Sequence, residues 1–141
     1  MANLSGDSPP YGFQDTSYKA AGREEGLRKL SARFYFHMES TPEAQPIRAM
    51  HKDDLSTMVD KLTLFLSMWL GGPRDYVEKY GTANMPQAHR HLVINEPERD
   101  AWLLCMDKAV EEQPYVESFK TYLKEQLRFP AEMIRKTARK A

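Results

Sequence analysis

The sequence predicts an all-α fold. Apolar residues recur every three or four positions in four separate segments, the spacing of one helix face. No stretch alternates apolar and polar residues as a half-buried strand does. Glycine and proline fall mainly where those segments start or stop, as helix punctuation should.

The elements follow in chain order. Ser, Gly, Asp and Pro crowd the beginning of the chain, so residues 1–17 read as a flexible extension, with the folded part running from residue 18 to 141. Leu27, Leu30, Phe34 and Met38 then mark the buried stripe of a helix within Gly26 to Ser40, and Tyr35 lies at the edge of that stripe. In "STPEAQPIRAMH" a cap residue precedes Pro42 and a second proline follows at Pro46, which leaves room for a short helical turn before the chain redirects at His51. "DDLSTMVDKLTLFLSMWLGGP" is the clearest helix: Leu55, Met58, Val59, Leu62, Phe65, Leu66 and Trp69 share one broad face, Lys61 flanks it, and Gly71, Gly72 and Pro73 stop it. Residues 73 to 94 are poor in helix formers and read as loop with short turns. Asn95 caps the next helix, with Pro97 in its first turn and Glu96 and Glu98 near its positive end. Its body "AWLLCMDKAV" is apolar almost all round from Ala101 to Met106, as expected of a central helix packed on several sides. A last helix after Pro114 turns Val116, Phe119, Tyr122, Leu123 and Leu127 inward, and Pro130 ends or kinks it.

Composition narrows the function. A chain of 141 residues suits one domain with its own core. The single Cys105 excludes an intramolecular disulfide, a zinc ribbon and a CxxC redox pair, and suits a reducing, cytoplasmic setting. Twenty basic and twenty acidic residues cancel, so the bulk charge draws in neither nucleic acid nor membrane; the basic "IRKTARKA" tail reads as a solvated helix end. No run approaches the ~18 apolar residues of a membrane span, and the first residues lack the pattern of a secretory leader.

Walker, Rossmann, GxSxG and HExxH signatures are missing, which removes the best support for phosphate cradles, dinucleotide enzymes, serine hydrolases and zincins. The four histidines include the pair His89 and His91 in "ANMPQAHRHLVIN". As a zinc site the pair lacks a third ligand nearby, Cys105 being part of a core helix. Read from residues alone, three possibilities stand: a site for a large flat apolar cofactor lined by the Met- and aromatic-rich faces, a cofactor-free helical interaction domain, or a small metal-dependent enzyme using His89 and His91.

The motifs "RFYFHM", "AMHKDDL", "FLSMWLGGPRDYVEKYG" and a histidine followed ten residues later by the Arg99 of "ERDAWLLCM", taken in that order, resemble the truncated haemoglobins, specifically their second group. The resemblance spans Tyr18 to Lys124, and "WLGGP" and "ERDAWLLCM" are its most specific pieces.

This resemblance implies a single truncated globin domain, a two-on-two helical sandwich around haem b. The family's iron ligand stands ten residues before that arginine and five before an isoleucine, which points from both Arg99 and Ile94 to His89 and leaves His91 a bystander. The same carry-over gives Tyr35, His51 and Trp102 as distal hydrogen-bonding groups, and Met58, Lys61, Leu62, Phe65, Leu66, Tyr76, Leu92 and Ile94 as haem-pocket residues, Lys61 at a propionate. Its implied ligands are O2, CO, NO or similar small molecules. Three distal donors would slow ligand escape, favouring sensing, NO oxidation to nitrate or peroxidase-type turnover over simple oxygen transport, and electrons would come from a separate reductase. Tyr35 or His51 could itself occupy the sixth iron position. The chain would act as a monomer or homodimer. It departs from the family where arginines usually precede the iron ligand, here Pro86, Gln87 and Ala88, so Arg90, Lys61 and Tyr76 stand as substitute propionate partners. Gly22-Arg23 also replaces the usual Gly-Gly near the first helix.

Overall fold

The computed structural model describes residues 11–50, 54–81 and 92–137. Among the described residues, three short helices and a 3-10 turn accompany four long helices. In chain order they are α1 (Thr16–Ala20), α2 (Arg23–Ser40), the 3-10 turn Pro42–Ala44, α3 (Gln45–Met50), α4 (Leu55–Trp69), α5 (Asp75–Tyr80), α6 (Glu96–Glu111) and α7 (Glu117–Thr137). Helix α2 packs on α4 and on α6, and α6 packs on α7, giving a two-on-two sandwich. Among the described residues there is no strand, and no helix is long and apolar enough to cross a membrane.

Local chemistry sets the helix ends. The Asp54 carboxylate accepts the Thr57 backbone N–H at 2.9 Å and so caps α4. At the other end of α4, Gly71 has φ +94°, and a Cβ there would stand 2.0 Å from the Gln14 carbonyl oxygen. A Cβ on Gly72 would stand 2.5 Å from the Tyr18 ring. The pair is glycine because α1 and the strand of chain before it press directly on the end of α4, where the Tyr18 N–H also donates to the Leu70 carbonyl at 3.1 Å.

The core forms where α2, α6 and α7 meet. Leu27, Leu30, Phe34 and Met38 are sealed there with Met106, Val110, Phe119 and Leu123, which is the stripe expected of α2. Helix α6 is buried on several sides, although Leu104 on its outer face is 37% exposed.

Three expectations change. Tyr11, placed in the flexible extension, lies against α7, its ring 5.3 Å from Phe119 and its hydroxyl 2.8 Å from the Ser118 hydroxyl. Val116 is 66% exposed, because it precedes α7 and does not share its inner stripe. Of the end or kink expected at Pro130, the end does not occur, since α7 continues to Thr137. The lost N–H costs one helical bond, but Leu127 and Ala131 on either side of the proline stay buried and hold the helix to the core.

Candidate functional site

A pocket opens among α2, α3, α4, α6 and α7, concave and mostly apolar as small-molecule and cofactor sites are. Leu62, Phe65 and Leu66 form its α4 wall, since positions three and four apart share a helix face. Leu127, Ala131 and Ile134 repeat that spacing on α7, with Pro130 between them. Ile47 and Met50 come from α3, and Leu92 and Ile94 from the segment that enters α6. The hydrogen-bonding side chains in the lining are Tyr35, Glu98, Arg99 and Trp102.

Tyr35 and Trp102 rest on one support. The Phe34 ring is 4.9 Å from that of Tyr35, edge to face, and 5.2 Å from that of Trp102. Phe34 itself is 1% exposed. Two amphipathic rings are thus braced by one rigid apolar ring while they border the cavity. Burial pushes the Tyr35 phenol well above its ordinary range, against a smaller opposing effect of the Arg48 charge, so it stays an O–H.

The charged groups at the rim are committed to partners. Glu98 accepts the Asn95 backbone N–H at 2.7 Å, closing the first turn of α6. Arg99 donates to Glu132 of α7 at 2.7 Å and pairs with Asp100 at 2.9 Å. Arg135 and Arg99 together hold the Glu132 carboxyl down to about 2. A second network ties α5 to α4 and α2: Asp60 accepts from Lys79 at 2.8 Å, from Tyr80 at 2.6 Å and from Arg28 at 3.2 Å.

Seven of the residues singled out from the sequence line this one cavity: Tyr35, Leu62, Phe65, Leu66, Leu92, Ile94 and Trp102. Met58 lies one turn earlier on α4 and is closed into the core. Tyr76 sits behind the wall, edge-on to Phe65 at 6.1 Å. The Lys61 ammonium lies 5.4 Å from the centre of the Tyr80 ring. His51, His89, Arg90 and His91 fall outside the described residues. Sequence reasoning missed Ile47, Met50, Pro130, Ala131, Ile134 and the rim pair Glu98 and Arg99. The spacing of Leu127, Ala131 and Ile134 was the available signal, obscured by reading Pro130 as an end or a kink.

The model of the family described as bacterial-like globin matches residues 16–136. The group 2 truncated haemoglobin YjbI of Bacillus subtilis (strain 168) is 36% identical over 94 residues, 67% of this chain and 68% of that protein. The group II 2-on-2 haemoglobin of the plant pathogen Agrobacterium tumefaciens superposes with a TM-score of 0.80 at 30% identity, covering 98% of this chain and 100% of that one. A truncated oxygen-avid haemoglobin from Bacillus subtilis superposes with a TM-score of 0.74 at 31% identity, covering 84% and 97% of the two chains. The chain belongs to the bacterial-like globin family and, within it, to the group II truncated haemoglobins.

Members of this family are haem proteins, and haem is the expected cofactor here. The cavity suits that group chemically. Its walls are aliphatic and aromatic, as the faces of a porphyrin require, and Tyr35 and Trp102, the one carrying a hydroxyl and the other an indole N–H, are among its lining residues.

Proposed function

We propose that the cavity would hold haem b through His89 and that Tyr35, Trp102 and His51 would stabilise a small ligand, O2, CO or NO, bound to it. The observation that carries this reading is the pair of polar-edged rings, Tyr35 and Trp102, braced on Phe34 at an otherwise apolar cavity. Bound haem supplies an iron centre that takes diatomic ligands and changes oxidation state. The protein supplies the rest. Tyr35 is held neutral by burial and therefore donates, and the indole of Trp102 can only donate. Donors fixed in a water-poor site stabilise negative charge as it develops on a ligand, with no reorganisation needed at that moment. Leu62, Phe65 and Leu66 exclude water from the same space. Lys61 would pair with a propionate, and Leu92 and Ile94 would line the haem pocket.

Strong retention of a ligand suits chemistry on it better than its delivery. The reading extends to oxidation of NO to nitrate, or peroxidase-type turnover, by a cytoplasmic protein reduced by a separate reductase. The oxygen-avid description of the similar Bacillus subtilis haemoglobin supports tight ligand retention. Absorption spectra of the wild type beside His89→Ala and His91→Ala, each supplied with haem, test the ligand assignment. The wild type and His91→Ala should show a Soret band, and His89→Ala should lose or shift it; the reverse pattern would overturn the assignment.

A further inference from the structure

On the outer side of α7 two large apolar side chains face solvent. Phe129 is 66% exposed and Met133 51% exposed, and four positions apart they share one helix face. Glu125 stands one turn before Phe129 and Lys136 one turn after Met133, and both are exposed. Three turns apart at 3.6 residues per turn, these opposite charges project from the same flank of that face, about 20° from each other around the axis. Among the described residues neither has an ion-pair partner. Their charged neighbours are engaged elsewhere: Glu132 pairs with Arg99 and Arg135, and Arg128 reaches to Asp107 at 3.9 Å. One turn before Glu125 the chain covers the face itself, with the Tyr11 ring 5.0 Å from that of Tyr122. What is left open is a stretch of three turns, acidic at its start, apolar in its middle and basic at its end.

We propose that this stretch is a self-association surface whose partner is a second copy of the chain. The order acid, apolar, base is self-complementary when two copies of α7 run antiparallel. With the two-fold axis at the height of Ala131, Phe129 of each copy meets Met133 of the other. The same axis brings Glu125 of each copy within one residue's rise, about 1.5 Å along the helix, of the level of Lys136 of the other. A two-fold preserves the flank, so the two charges meet on the same side and each contact is made twice. An acidic partner would face Glu125 and a basic one Lys136, and an anionic lipid surface would likewise face Glu125. The contact is narrow, a single helix from each copy, so the dimer is weak and exchanges with the monomer. Pro130, Ala131 and Ile134 on the inner side of the same turns line the cavity, so pairing backs that wall with a second helix. The pairing does not depend on what the cavity holds.

Sedimentation velocity on the chain supplied with haem, over a hundredfold range of concentration, tests this. The wild type should pass reversibly from monomer to dimer as concentration rises. Glu125→Lys alone and Lys136→Glu alone each set like charges together at both ends, and each should weaken dimerisation about tenfold at low salt. The double variant, Glu125→Lys with Lys136→Glu, restores opposite pairs and should recover most of the wild-type affinity. Phe129→Ser should abolish the dimer with far-ultraviolet circular dichroism unchanged, since the side chain lies mostly outside the fold. A wild type that stays monomeric throughout the range overturns the proposal; if that monomer binds phosphatidylglycerol vesicles and Phe129→Ser does not, the face belongs to a lipid surface. A dimer of equal strength in all four variants, which would lie on another face, also overturns it. So do single variants that the double variant does not rescue.

Discussion

Tyr11, Tyr115 and Tyr122 gather around Phe119 with ring centroids 5.1 to 6.2 Å from it, and Phe119 is wholly buried. Around Phe34, by contrast, Tyr35 and Trp102 pack on its ring and also border the cavity. The first cluster completes itself with its own side chains. The second leaves apolar surface for another molecule to cover, so part of the stability of that region should come from binding. An aromatic-rich sequence therefore does not distinguish core from ligand site. What distinguishes them is whether the neighbouring rings close the space.

The largest contrast should come from cutting one residue on each side. Phe119→Ala should destabilise the protein by about 3–5 kcal/mol, with or without haem, in a denaturant titration. Leu62→Ala borders space that is already open and should cost the haem-free protein less than about 2 kcal/mol, while visibly speeding haem transfer to an acceptor globin. Equal losses in the haem-free state would erase the distinction.

Next in size is the polar edge of the cavity. Tyr35→Phe keeps the ring on Phe34 and removes only the hydroxyl, so O2 dissociation should quicken about tenfold, equivalent to ~1.4 kcal/mol. Rapid-mixing kinetics would measure this, and an unchanged rate would remove Tyr35 from the distal role.

A smaller effect belongs to the α4–α5 tie behind the cavity wall. Lys79 first, and then Tyr80, hold the Asp60 carboxyl down to about 2. A carboxyl depressed on folding lends stability that is complete above its unfolded value near pH 4 and is lost as pH falls towards about 2. Asp60→Asn should therefore cost ~1 kcal/mol at neutral pH and flatten the fall in urea midpoint between pH 4 and 2. Glu112 and Glu132, also held down to about 2, would keep part of the slope.

The smallest change concerns neither cluster. Arg23 has φ +60° directly after Gly22 at φ +86°, a left-handed conformation that disfavours a side chain. Arg23→Gly should raise the thermal midpoint slightly, by about 0.5 kcal/mol or less in stability, because the gain is partly offset by the flexibility of glycine in the unfolded chain.

The long helices were legible because periodicity reports burial directly: Leu27, Leu30, Phe34 and Met38, or Leu62, Phe65 and Leu66, differ from their neighbours in the property that packing selects. The same signal cannot tell whether an inward side chain meets protein or open space. Met58 and Leu62 sit one turn apart on one helix face, yet one is core and the other cavity. Tyr76 illustrates a second limit, since its ring supports Phe65 without lining the cavity. The contribution of α7 was obscured by a local rule, proline as a helix breaker, that tertiary packing of Leu127 and Ala131 overrides. Family motifs supplied what periodicity could not, above all the choice of His89 over His91, which no described contact bears on.

The upward displacement of the Tyr35 phenol has a physiological corollary. Among the described side chains that line the cavity it is the single hydroxyl, and across any acidity a living cell tolerates it keeps its proton. Acidification or alkalinisation of the surroundings would leave this donor as it is. Under the proposed role, control over when a ligand leaves would rest with redox state and with competing ligands.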